Sequence, residues 1–226
     1  YTDAITYSRV TILDVFQSDV GDAGADAGPG RRSHGEVHVV SRVVGFKKIK
    51  FYTNENIGSG ELDLPEQQMH TTAYWLTLPR ELMTALPFSA DDRRDGVIGL
   101  SFAMRHVAQL LLMCDGQDIG ISIGTGQEGA AATEARPGSF GVRPGAELDE
   151  PRVFVYDNYP GGIGFSEPLF GMHDRLLAET RALISSCACD HGCPTCVGPI
   201  GESGPLAKQV ALTLLERLLT PALSTS

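Results

Sequence analysis

Lysine is scarce in this chain: of 226 residues only Lys47, Lys48, Lys50 and Lys208 carry that side chain, and the formal net charge is -10. A chain this acidic excludes broad, non-specific attraction to nucleic acid, which needs a positive surface to neutralise phosphates. It leaves room for a local basic patch. No apolar run approaches the roughly 18 residues that a membrane span needs. The longest, from Val97 to Met113, is interrupted by Ser101, Arg105, His106 and Gln109. Nothing in the first residues resembles a secretory signal. Phosphate-loop lysine chemistry is missing too: there is no GxxxxGK[ST] segment and no DEAD or DEAH tetrad, and Gly124-Thr125-Gly126 has no following lysine. The chain opens on Tyr1 rather than Met, so the expectation is a piece of a larger protein.

What remains is an ordinary globular composition, with 42% hydrophobic and 20% charged residues. Residues 1 to 20 read as extended chain. Residues 21 to 34, rich in Gly, Ala and Asp, read as a mobile loop. Residues 36 to 51 are β-branched and aromatic and read as two strands with a bend or bulge at Gly45. NIGSG at 56 to 60 reads as a turn, and Thr71 to Leu78 as a strand with Tyr74, Leu76 and Leu78 on one side. A buried helix is expected from about Asp95 to Met113. A short strand over 118 to 123 and a long Gly/Pro-rich loop over 124 to 151 follow. A strand over 152 to 156 then leads through DNYPGGIG into a helix with Ser166 as N-cap and Pro168 in its first turn. A last amphipathic helix covers about 205 to 219. The fold class expected is α+β: a mixed or antiparallel sheet with packed helices and a four-cysteine knuckle between two helices. One domain over 1–226 is expected, with an α/β core over 1–184 and the knuckle plus last helix over 185–226.

Cysteine is concentrated. Four of five lie in the ten residues Cys187-Ala-Cys189-Asp-His-Gly-Cys193-Pro-Thr-Cys196, and Cys114 stands apart as a structural core residue. Such crowding suits metal chemistry in a reducing compartment better than a disulfide framework. Four soft thiolates complete a tetrahedron around Zn2+ and leave no position for a substrate water, so the site reads as structural. Two disulfides, a redox CxxC pair and an iron–sulfur cluster are the alternatives, and His191 could replace one cysteine as ligand.

Other clusters carry two readings each. Lys47, Lys48 and Lys50, with Arg93 and Arg94, could touch a DNA backbone, or the lysines could mark a charged edge strand. Asp115, Asp118 and Asp157 could bind a cation as nucleases do, or cap helices and terminate strands. Gly161-Gly162-Ile163-Gly164 could offer N–H groups to a phosphate, or pack a tight strand-to-helix turn. Tyr74 and Trp75 could stack on a base or fill the core. His106 reads as a core residue rather than a ligand.

DNYPGGIGFSEPLF followed by CACDHGCPTCVGP resembles the C-terminal zinc-binding domain of the mitomycin repair factor A-like helicases, a DUF1998-type family. VVGFKKIKFYTNENIG, TTAYWLTLP and LLLMCDGQDIGISIG are similar to the same family, in the right order over roughly residues 35 to 200. The resemblance implies a structural Zn2+ held by Cys187, Cys189, Cys193 and Cys196. It implies a parent that is a DEAD/DEAH-box superfamily 2, ATP-driven 3′-to-5′ DNA helicase in DNA repair, bacterial, cytoplasmic and nucleoid-associated. The domain would be non-catalytic itself. It would support motor domains of the same chain, which would hold ATP and Mg2+, and guide single-stranded DNA, with no membrane partner. A related domain in a phage-defence component beside a helicase implies the alternative of a protein–protein scaffold.

Overall fold

The computed structural model describes residues 2–19, 30–50, 56–124, 150–198 and 204–220. Six strands make one antiparallel sheet. β1 (Thr2–Ser18) pairs with β2 (Arg31–Ile49), β2 with β4 (Gln67–Thr77), β4 with β6 (Arg152–Asp157) and β6 with β5 (Ile119–Gly124). β3 (Asn56–Glu61) pairs with the far half of β2. The antiparallel α+β expectation holds.

Several elements depart from the sequence reading. The segment around Gly45 is one continuous β2, not two strands. The bulge expected at the glycine is present: Ile5 pairs with Gly45 and Thr6 with Val43, so Val44 is the extra residue. NIGSG is strand rather than turn, because β2 supplies a partner along 45–49. Arg31 to His34 already belong to β2, while 21–29 and 125–149 lie outside the described residues.

The sheet alternates as a two-faced sheet must. Tyr74 and Leu76 of β4, with Val153 and Val155 of β6, join the core beneath the helices. Ala73 and Trp75 face the other way, onto Val37, Val39, Phe154 and Tyr156, with Val10, Ile12 and Met69 at the margin. This second cluster is enclosed because the sheet curls. Ser122 Oγ of β5 donates to Ser8 O of β1 at 2.8 Å, joining the two ends of the strand order.

Helices cover the first face. α1 (Arg80–Thr84) is a single turn that sequence periodicity did not reveal. α2 (Ala90–Leu112) starts earlier than Asp95, since Ser89 Oγ accepts the Asp92 N–H at 3.1 Å and caps it. The single helix expected after residue 166 is two: α3 (Ser166–Gly171) and α4 (His173–Ser186), broken at Met172. Ser166 is a buried first helical residue and makes no cap. α5 (Ala207–Leu219) buries Val210, Ala211, Leu214 and Leu215 completely. Among the described residues no helix is long and apolar enough to cross a membrane.

α2 lies between the sheet and α5, and its glycines set the spacing. A Cβ at Gly96 would sit 2.2 Å from Val210 Cγ1 and 2.5 Å from Val210 Cβ. One at Gly99 would sit 3.0 Å from Val197 Cβ, just after the last cysteine. Gly96→Ala should therefore cost stability by overpacking, about 1–3 kcal/mol, in chemical denaturation. Gly171→Ala, where nothing lies within 4 Å, should be neutral or mildly stabilising.

Candidate metal centre

α4 ends at Ser186, and Cys187 turns extended to carry the chain away from the helix axis. Gly192 has φ +118, a conformation L side chains rarely adopt, and a Cβ there would lie 2.4 Å from Val197 Cγ2. Only glycine fits this bend. The Cys196 and Val197 N–H groups then donate to Cys193 O at 3.0 and 3.1 Å, closing a turn that brings Cys193 and Cys196 together. The four Sγ atoms end within 4.8 Å of one another.

The spacing discriminates between the chemistries. Zn–S bonds of about 2.3 Å in a tetrahedron place sulfurs about 3.8 Å apart. The separations are 3.5 Å for Cys187–Cys193, 3.4 Å for Cys189–Cys196 and 3.7 Å for Cys193–Cys196. A disulfide needs about 2.05 Å, and all four cysteines are unbridged. A polynuclear iron–sulfur cluster would spread its thiolates around several irons, whereas these converge on one point. Four soft donors with this convergence fit a single zinc ion. His191 is not part of the convergent set.

Burial raises both thiols of the CxxC pair, with different outcomes. At Cys193 the Thr195 backbone N–H, then Cys187 and Cys196, outweigh burial and bring the thiol down to about 6. At Cys196, buried completely, desolvation wins and the thiol is pushed up to about 12. A metal entering this site must displace protons, so its hold weakens as pH falls.

One residue was not anticipated. Lys208, the second residue of α5, sends Nζ to Cys187 O at 2.7 Å, to Cys189 O, and to within 3.6 Å of Cys189 Sγ. Its isolation in the sequence, the one lysine outside the 47–50 cluster, was the available signal.

The other candidates resolve in favour of local structure. Asp157 is buried, and its Oδ2 accepts from the N–H groups of Ile163 (2.7 Å), Gly164 (2.9 Å) and Phe165 (3.3 Å) and from Thr72 Oγ1 (3.1 Å). The glycine turn thus offers its donors to Asp157, not to a phosphate. Asp118 accepts from the Asp115 N–H and the Tyr159 hydroxyl, and Asp115 from the Gln117 N–H. The three aspartates do not converge, and the four-cysteine set is the only metal-type grouping among the described residues. Tyr74 and Trp75 are both core. Tyr74 bonds His173 Nδ1 at 2.7 Å, where burial, followed by Arg32, lowers His173 to about 4; Trp75 lies 5.7 Å from the Phe154 ring. His106 is half-buried against Phe102. Cys114 packs at the margin of the helical core, and burial raises its thiol.

Lys47 and Lys48 sit where β2 is flanked by β1 on one side and β3 on the other. The edge-strand reading therefore fails: this stretch has a neighbour on both sides. Lys48 and Lys50 are exposed, and Lys48 Nζ lies 5.9 Å from the centre of the Phe46 ring. Arg93 and Arg94 are elsewhere, in the first turns of α2. Arg93 donates to Met83 O at 2.8 Å, and Arg94 pairs with Asp91 at 2.9 Å and Asp95 at 3.1 Å.

Removing the Asp157 carboxylate would leave its part-buried N–H and hydroxyl donors without their shared acceptor, at about 1–3 kcal/mol. Asp157→Ala should lower the free energy of unfolding by that amount in chemical denaturation. Asp157→Asn, which keeps one acceptor oxygen, should lose less.

Residues 100–197 match the family described as the MrfA Zn-binding domain. Over 219 residues the chain is 32% identical to the "Uncharacterized ATP-dependent helicase YprA" of Bacillus subtilis (strain 168), covering 96% of this chain and 25% of that protein. It is 34% identical over 77 residues to protein MJ1572.1 of Methanocaldococcus jannaschii, covering 32% of this chain and 67% of the archaeal one. The crystal structure of DUF1998 helicase MrfA bound to DNA superposes with a TM-score of 0.62 at 29% identity, over 96% of this chain and 25% of that one. A further MrfA structure, TM-score 0.56 at 24% identity, supports the fold. The chain spans about a quarter of the length of the helicase relative and of the solved helicase. With its cysteine segment inside the matched region, the chain belongs to the MrfA Zn-binding domain family.

Proposed function

We propose that this chain is the zinc-holding accessory domain of an ATP-dependent DNA helicase. The observation that carries the reading is the convergence of four sulfurs within 4.8 Å inside the segment matched to a zinc-binding family. Cys187, Cys189, Cys193 and Cys196 are its ligands and the metal is structural, since the four donors leave no open position. The chain acts as one unit, a core over 1–184 and a zinc-fastened end over 185–226. Motor domains of the same parent supply ATP and Mg2+, and the domain supports them and guides single-stranded DNA during repair in the cytoplasm, beside the nucleoid.

DNA contact rests on the lysine segment. Lys48 is exposed on a stretch of β2 held from both sides, so its charge projects from a fixed backbone, and Lys50 is exposed just past the end of that strand. Arg93 and Arg94 belong to the same proposed footprint, but they would first have to leave Met83 O and the Asp91 and Asp95 carboxylates. The lysines are therefore its stronger half. The net charge of -10 favours the second reading, a protein–protein scaffold in a defence complex that uses no direct DNA contact.

The triple variant K47E/K48E/K50E in the parent protein separates the two. DNA contact predicts weaker binding and a salt slope reduced by about two to three ions, with zinc still at one per chain. An unchanged slope would favour the scaffold. Absence of zinc from the purified parent would contradict the ligand assignment.

A further inference from the structure

Lys208 occupies an electrostatically awkward place. It is the second residue of α5, where the helix dipole is positive, and the first turn holds no acidic residue. A cation there is disfavoured unless negative charge lies in front of it. What lies in front is the cysteine loop: two backbone carbonyls and one sulfur, three acceptors for the three donors of an ammonium. Four thiolates around one Zn2+ carry two net negative charges, enough to reverse the dipole's penalty.

We propose that Lys208 is the positioning residue of the zinc site. By holding the Cys187 and Cys189 carbonyls it fixes the first half of the ligand loop, and its N–H beside Cys189 Sγ offsets thiolate charge. It also joins the metal to α5, the helix buried against Gly96 of α2. The inference rests on the ligand assignment proposed above. A positive donor beside a coordinated sulfur lowers that sulfur's nucleophilicity, so Cys189 is the thiolate this arrangement protects from alkylation.

The test uses the unmodified parent protein, with zinc content measured first. Amine acetylation is followed by peptide mass spectrometry, zinc-loaded and after chelation. The exposed Lys48 and Lys50 serve as references. In the loaded protein Lys208 should react at least about tenfold more slowly than Lys48, and should approach its rate once zinc is removed. Equal rates at Lys208 and Lys48 in the loaded protein would overturn the proposal, as would protection that chelation leaves unchanged. Lys208→Met should weaken zinc affinity about 10- to 100-fold in chelator competition and speed alkylation of Cys189, with Lys208→Arg partly restoring both. A purely structural staple would destabilise metal-free and loaded protein alike without changing zinc affinity, and that result also overturns it. If Lys208→Met does not fold, the acetylation experiment decides alone. A protein without zinc sinks the ligand assignment and this proposal together; a protein with zinc and a reactive Lys208 sinks only the second.

Discussion

Between Gly96 of α2 and Val210 of α5 there is no room for a methyl group, and Gly99 lies tightly against Val197. That contact fixes where α5 lies, and α5 in turn closes the helical face of the sheet. Leu214 and Leu215 are fully buried with Leu100, Met104 and Ile184 in one cluster. Hydrophobic burial of this kind is worth about 1.5–3 kcal/mol per large side chain, but it has no direction. The direction comes from the connection between α4 and α5, where the cysteine loop turns the chain at Gly192 and Lys208 ties it to the start of α5.

A structural zinc ion in such a place does more than add stability. Apparent binding energies for small structural sites are about 10–16 kcal/mol at neutral pH, comparable to the whole stability of many domains. Concentrated in ten residues beside Val197 and Gly99, that energy would hold the ends of two helices in one geometry. The sheet needs no such help, since its second cluster is enclosed by its own curl and the Ser122–Ser8 bond.

The site was the most legible part of the sequence, because four cysteines within ten residues leave few geometries open. Strand alternation at Tyr74 and Leu76 was equally readable. The failures have physical causes. NIGSG carries turn residues, yet β2 imposes strand on it, and tertiary pairing outweighs local preference. The glycine turn at 161–164 looks like an anion cradle, but its anion is internal: Asp157, at the end of β6 and several residues before the amides it serves. The lysine cluster read as an edge because β3 was not recognised as its neighbour. Lys208 was missed because nothing in its own helix marks it; its partners are 19 and 21 residues away.

Loaded with zinc, the four-cysteine loop would fasten α5 onto α2. Amide hydrogen exchange of the parent protein, loaded and after zinc removal, tests it most directly. Zinc removal should strip protection from Ala207–Leu219 and the end of α4, while the amides of β4 and β6 keep theirs. Protection in α5 that stays the same without zinc would contradict it.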